Sequence, residues 1–240
     1  MIIKVSLVSI EIVQQYEIKD TGLCTNPAVE LQGRDHEATG VCARVGSSVR
    51  RADPRCKDLS VIFTETGLKG AYLIHPERLE DERGFFARVW CAREFGTMGL
   101  ETRLVQCSTS FNRKKGTLRG LHYQEAPFEE VKLVRCTRGA VYDVVVDLRG
   151  GSPTYGQNTG EILTAENRRI LYVPKGCAHG FLTLEDDSEV FYQMSEFYVP
   201  EQSRGVRWND PVFGIEWPSE VFVISERDRT YPDFVRKGGD

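Results

Sequence analysis

Two glycine-flanked histidines carry most of the chemistry legible in this chain of 240 residues. His122 lies in Gly116-Thr-Leu-Arg119-Gly-Leu-His122-Tyr-Gln124, and His179 in Pro174-Lys-Gly176-Cys-Ala-His179-Gly-Phe181. An imidazole titrates near neutral pH, which suits it to proton abstraction and return. Of the four histidines, only these two sit in glycine-flanked strand contexts, whereas His36 falls in an irregular stretch and His75 precedes Pro76 in a turn. A strand histidine is more often a hydrogen-bonded structural residue than a catalyst. What raises His122 is its company: Arg119 three residues before it and Lys132 ten residues after it, in a chain with few other strand-embedded cations.

The elements that must position these groups are read from periodicity. From Val61 onward, short apolar or alternating segments are separated at close intervals by Gly, Pro and Asp, the pattern of an all-β sandwich or barrel. Strands are expected at 71–74, 85–91, 102–109, 118–123, 131–137, 140–148, 160–164, 169–173, 180–184 and 189–196. Only 92–98 reads as a helix, and no βαβ spacing occurs, which excludes a doubly wound nucleotide-binding fold. In the densest strand, Asp143 and Asp147 share a face with Val141 and Val145. Directed inward, these carboxylates need partners; the plainer reading turns them outward into solvent. Residues 18–60 show no sustained period and are rich in Gly and Pro. The expected organisation is therefore 1–60 as a poorly ordered extension or a misplaced start, and 61–240 as one barrel domain.

The glycine-to-histidine spacing, followed later by Pro-x-Gly-x-x-His, resembles the two motifs of cupins, small β-barrels whose mouth holds a metal or a substrate. A metal cupin carries His-x-His in its first motif; here Gln124 stands in place of the second histidine, so no bound metal is expected. At Arg119 the resemblance narrows. Leu118-Arg-Gly-Leu-His-Tyr-Gln124, Lys132-Leu-Val-Arg-Cys136, Tyr142-Asp-Val-Val-Val-Asp-Leu-Arg149, Pro174-Lys-Gly-Cys-Ala-His-Gly-Phe181, Trp208-Asn-Asp-Pro211 and Gly214-Ile-Glu-Trp-Pro218 closely resemble the dTDP-4-dehydrorhamnose 3,5-epimerase family, in its order and spacing. With Asp81-Glu-Arg-Gly-Phe-Phe86 they extend from Val61 to about Asp233.

The resemblance implies a cupin-type double-stranded β-helix, or jelly roll, with a few short helices and no cofactor. It also implies an isomerase that inverts C3 and C5 of a dTDP-linked 4-keto-6-deoxyhexose. That chemistry needs a base on one face, an acid on the other and a cation beside the ketone oxygen as it becomes an enolate. By the resemblance, His122 is the base, Asp228 its carboxylate partner, Tyr192 the acid and Lys132 the cation. Arg83 and Arg119 match diphosphate contacts; Phe86 and Tyr198 match aromatics that sandwich the base. Gln106, Ser110 and His179 match polar contacts, and Asp143 a buried acid behind the histidines. Arg83 and Phe86 reach the neighbouring subunit's site through an exchanged strand in the family, so a homodimer is implied. The chain departs from the family at Ser108, where asparagine is usual, at Arg88, where a base-contacting glutamate would fall, at Cys177, where a bulky aromatic is common, and in a loop 109–117 longer by one residue. Alternatives from the sequence are a single-centre epimerase or ketoisomerase on a sibling sugar nucleotide, a non-catalytic sugar-nucleotide binding module, and a metal cupin oxygenase.

Composition sets outer bounds. With 40% hydrophobic and 28% charged residues the chain has globular composition. Its 31 Lys and Arg against 35 Asp and Glu leave a net charge of −4, without a basic footprint for nucleic acid. Seven cysteines with no CxxC pair argue against a disulfide framework and point to a reducing cytoplasm. No segment suits membrane insertion.

Overall fold

The computed structural model describes residues 49–51 and 60–236. Among these, the strands are β1 (Val49–Arg51), β2 (Val61–Glu65), β3 (Tyr72–Pro76), β4 (Arg78–Asp81), β5 (Gly84–Ala87), β6 (Gln106–Asn112), β7 (Thr117–Gln124), β8 (Lys132–Arg138), β9 (Ala140–Asp147), β10 (Asn158–Thr164), β11 (Ile170–Val173), β12 (Cys177–Thr183), β13 (Ser188–Met194), β14 (Ser203–Gly205) and β15 (Val223–Ile224). Two short α-helices, α1 (Ala92–Thr97) and α2 (Glu226–Arg229), and a single 3-10 turn at Pro200–Gln202 complete the described elements. One sheet runs β1-β2-β3-β11-β8-β13-β6 and the other β10-β9-β12-β7-β14, with β15 parallel to β7. Strands β4 and β5 form a separate hairpin. Two sheets of mostly antiparallel strands with long crossovers make the jelly roll of a cupin, as the motifs implied.

Period-two alternation sorts the side chains. Val134, Cys136, Leu171, Val173 and Val190 of the first sheet meet Val141, Val145, Leu163 and Phe181 of the second in the central core. Full burial of such a side chain contributes about 1.5–3 kcal/mol. The first sheet's outer face is covered by α1 through Phe95, which packs on Phe63 with ring centroids 5.1 Å apart. The second sheet's outer face takes Tyr142, Val144 and Val146 of β9 under Val206, Phe213 and Trp217. Strand β9 is therefore buried on both sides. That corrects the outward reading of its aspartates: Asp143 and Asp147 are both 0% exposed, and both have partners.

Two expected strands shift. The stretch 102–109 becomes β6, which begins at Gln106; ahead of it the chain is irregular, and the Glu101 carboxylate accepts the backbone N–H groups of Thr102 and Arg103 in place of a strand partner. The stretch 85–91 keeps only β5; Arg88 turns instead to a salt bridge of 3.0 Å with the buried Glu94 of α1. Strands β2, β4, β14 and β15 and helix α2 were not foreseen. Within the segment expected to be poorly ordered, Val49–Arg51 pairs antiparallel with β2; the rest of 1–60, apart from Ser60, lies outside the described residues.

Candidate active site

The histidines are brought together by glycine. Strands β7 and β12 approach so closely that a Cβ on Gly120 would fall 2.6 Å from Gly180 Cα, and one on Gly180 2.6 Å from the Arg119 carbonyl oxygen. Gly120 also has φ +126°, which L side chains rarely adopt. The register shifts between His179 and Phe181, and His179 becomes the cross-strand partner of His122.

Each histidine holds a carboxylate. His122 Nε2 lies 2.6 Å from Asp228 Oδ1. Asp228 reaches it because β15 runs parallel to β7 and delivers α2 to the strand, where Ser225 caps the helix by accepting the Asp228 N–H. The second Asp228 oxygen accepts the Gly120 N–H at 3.3 Å. Burial alone raises this carboxyl, but hydrogen bonds from His122, Gly120 and Ser225 outweigh it and hold the group below the usual carboxylate range. An ionised carboxylate only accepts, so it keeps the proton on Nε2 and leaves Nδ1 with a lone pair, a base by geometry. Behind it, His179 Nε2 meets Asp143 Oδ1 at 2.8 Å, and Asp143 Oδ2 has no partner. Burial pushes the Asp143 carboxyl up despite His179 and Lys132 nearby.

His122, His179, Ser225 and Asp228 line a cavity of about 810 Å³ between the sheets. From the first sheet come Gln106, Ser110, Lys132 and Tyr192, and from the second Arg119, His122 and His179, with Tyr198 and Asp228 at its edge. The Tyr192 ring stands edge-on to His179 with centroids 6.3 Å apart. Burial, then the Asp143 charge, drive the Tyr192 phenol far above its ordinary pKa, against Arg119 and a hydrogen bond with Ser110. It therefore stays protonated at any working pH. Lys132 Nζ is 2.9 Å from Glu130 and 3.5 Å from the His122 carbonyl oxygen. Gln106 Oε1 accepts the Tyr198 N–H at 3.2 Å.

Gln124 lines the cavity, but its amide is fully engaged within the protein. Its Nε2 donates to the carbonyls of Phe128 and Phe197 and to Glu130, and its Oε1 accepts the Val199 N–H at 2.7 Å. No three His, Cys, Asp or Glu side chains among the described residues are grouped to hold a metal.

Two residues implied by resemblance are not brought to the cavity of this chain. Arg83, its side chain 85% exposed, pairs with Asp81 at the β4–β5 turn, and Phe86 is 66% exposed on the same hairpin. Conversely, Glu130, Arg227 and Tyr231 were missed. Glu130 and Arg227 line the cavity. Arg227 bonds Ser203 Oγ at 3.0 Å, and Tyr231 stands edge-on to His122 at 6.3 Å. No local spacing marks Glu130; Arg227 and Tyr231 flank Asp228 closely enough that its assignment could have flagged them.

A family model described as dTDP-4-dehydrorhamnose 3,5-epimerase matches residues 65–236. The chain belongs to the dTDP-4-dehydrorhamnose 3,5-epimerase family. The member from Methanothermobacter thermautotrophicus is 47% identical over 173 residues, covering 70% of this chain and 92% of that one. The crystal structure of the Bacillus anthracis enzyme with TDP and PPi bound matches with TM-score 0.70 and 41% identity, over 72% of this chain and 99% of that chain. ChmJ, a 3′-monoepimerase from Streptomyces bikiniensis crystallised with dTDP-quinovose, matches at TM-score 0.65 and 34% identity, over 70% and 85%. The epimerase fold thus frames the cavity just described, and its similar structures include ones with a nucleotide sugar or TDP bound. Among the described residues no helix is long and apolar enough to cross a membrane.

Proposed function

We propose that this chain converts dTDP-4-dehydro-6-deoxyglucose to dTDP-4-dehydrorhamnose by inverting C3 and C5. The observation that carries the reading is the placement of a carboxylate-backed imidazole, His122, and a buried protonated phenol, Tyr192, on the two facing sheets of one cavity. His122 Nδ1 removes the proton next to the C4 ketone, and Asp228 stabilises the imidazolium that results. Lys132 places positive charge at the developing enolate oxygen, where such a group is typically worth ~10²–10³ in rate. Tyr192 then returns a proton from the opposite face. Arg119 takes the diphosphate, Tyr198 stacks on the base, and Gln106, Ser110 and His179 contact the bound molecule, with Asp143 behind them.

Arg83 and Phe86 serve a neighbouring protomer in this reading. The β4–β5 hairpin that carries them is solvent-exposed, with Leu79 46% exposed opposite Phe86, as suits an arm exchanged in a homodimer. The four cysteines among the described residues are free, and two of them are buried with thiols pushed up to about 11 (Cys136) and about 12 (Cys177), as suits a reducing cytoplasm.

Incubation with dTDP-4-keto-6-deoxyglucose in deuterium oxide tests the reaction. Label at both C3 and C5 with product of inverted configuration is expected. Label at one carbon alone would favour the single-centre reading that the similarity to a 3′-monoepimerase keeps open, and no label would sink both.

A further inference from the structure

Asn112 has no assigned part in the site, yet its geometry points at one. It closes β6 on the face shared with Gln106 and Ser110, and it is 2% exposed. Its Nδ2 donates to the carbonyls of Ser110 at 3.3 Å and Ser188 at 3.2 Å, with a longer contact of 3.5 Å to Ser110 Oγ. Those carbonyls fix which end of the amide is nitrogen. Oδ1 is left to face the other way, where it accepts Arg119 Nε at 2.7 Å.

Arg119 is held differently from Arg88, Arg149 and Lys132. Arg88 ends on Glu94, Arg149 on Asp147 and Lys132 on Glu130, so each carries its counter-charge with it. Arg119 forms no ion pair among the described residues, and Asn112 takes only Nε. Its terminal nitrogens keep the fork that suits two phosphate oxygens. The guanidinium lines both the main cavity and the adjoining pocket of about 390 Å³ that Asn112, Arg113 and Lys114 also border.

We propose that Asn112 is a positioning residue: a neutral acceptor that orients the Arg119 guanidinium toward the diphosphate of the nucleotide sugar without neutralising it. A carboxylate at this position would cancel the charge that the ligand needs and would leave the Ser110 and Ser188 carbonyls without their donor. The inference rests on the proposed function, in which Arg119 meets the diphosphate.

The intact protein is titrated calorimetrically with dTDP and, separately, with thymidine, and turnover is followed on dTDP-4-keto-6-deoxyglucose. Asn112→Ala should bind dTDP roughly tenfold more weakly, the value of one hydrogen bond to a charged group. Thymidine should bind it as it binds the parent, KM should rise by a like factor, and kcat should stay within about twofold. Asn112→Asp, which preserves size, should also weaken dTDP but not thymidine, and it carries the test if the alanine variant does not fold. Parental dTDP affinity in both variants, equal loss of dTDP and thymidine, or a fall in kcat at constant KM would each overturn the role. A parent that does not bind dTDP would overturn the reading of the site itself.

Discussion

Two histidine–aspartate pairs stand next to each other on the β7–β12 ladder, and their surroundings give them opposite characters. In the first, His122 is 37% exposed to the cavity and Asp228 collects hydrogen bonds from His122, Gly120 and Ser225. In the second, His179 is 4% exposed and Asp143 receives only its histidine, leaving Oδ2 bare. Burial acts on both carboxyls in the same direction. Depth of burial and donors together decide the outcome: Asp228, less deeply buried and better supplied with donors, is held low and ionised, whereas Asp143 is pushed up. The same two residue types therefore make, at one place, the fixed-tautomer base assigned in the proposed reaction and, at the other, a buried polar brace. The base pair also borrows its acid from 106 residues away, while the brace is built between neighbouring strands.

The comparison breaks most visibly at His122. His122→Asn should cut deuterium exchange at C3 and C5 by about 10³-fold, within the usual worth of a general base; exchange at the parental rate by proton NMR would remove His122 from the chemistry. Asp228→Asn comes next, with an expected loss of about 10²-fold in kcat, because a neutral amide no longer holds the proton on Nε2 or stabilises the imidazolium. Retained far-UV circular dichroism with parental kcat would show that the carboxylate does no more than close the barrel edge.

How much of this was legible depends on the reach of each contact. An all-β sandwich or barrel and most of its strands follow from period-two alternation, and the jelly roll from the family resemblance; the pairing of His122 with His179, which needs glycines that let two backbones touch, appears only in the structure. The aspartate of the base pair does not. Residues 226–229 read as a solvated charge run, and only the parallel pairing of β15 with β7 turns Asp228 inward. Asp228 was therefore identified by family resemblance alone, and Asp143 could have been placed equally well in solvent. Glu130 and Asn112 escaped because each acts through a neighbour, Lys132 and Arg119, on another strand. Arg83 and Phe86 stay exposed on the β4–β5 hairpin, away from this chain's cavity, so a single chain offers no local signal for the part that the resemblance implies for them.

Smaller effects sharpen the second half of the comparison. Asp143→Asn should reduce kcat less than tenfold and leave Tm at pH 7 unchanged or higher. The sign follows from the raised carboxyl: as pH climbs above the ~3.9 of an unfolded aspartate, the unfolded chain ionises first and the folded state is penalised. A loss of kcat matching that of Asp228→Asn would mean that both pairs serve catalysis.

Asp147 isolates burial from hydrogen bonding, for it lies on the same face of β9 as Asp143 and is equally 0% exposed. Burial again raises it, but donors from Arg149, Ser152 and Thr154 at 2.6–3.0 Å bring it to about 2. With the folded value below that of the unfolded chain, this carboxylate stabilises fully above roughly pH 4, and its contribution fades as pH falls toward 2. Asp147→Asn should leave kcat near parental and lower Tm by about 5 °C at pH 7, with the gap shrinking at low pH. Thermal melts of parent and variant between pH 2 and 7 decide it. A gap that stayed constant across that range would mean that the loop 149–154 needs Asp147 for shape rather than for charge, and that donor count does not separate the buried aspartates of this strand.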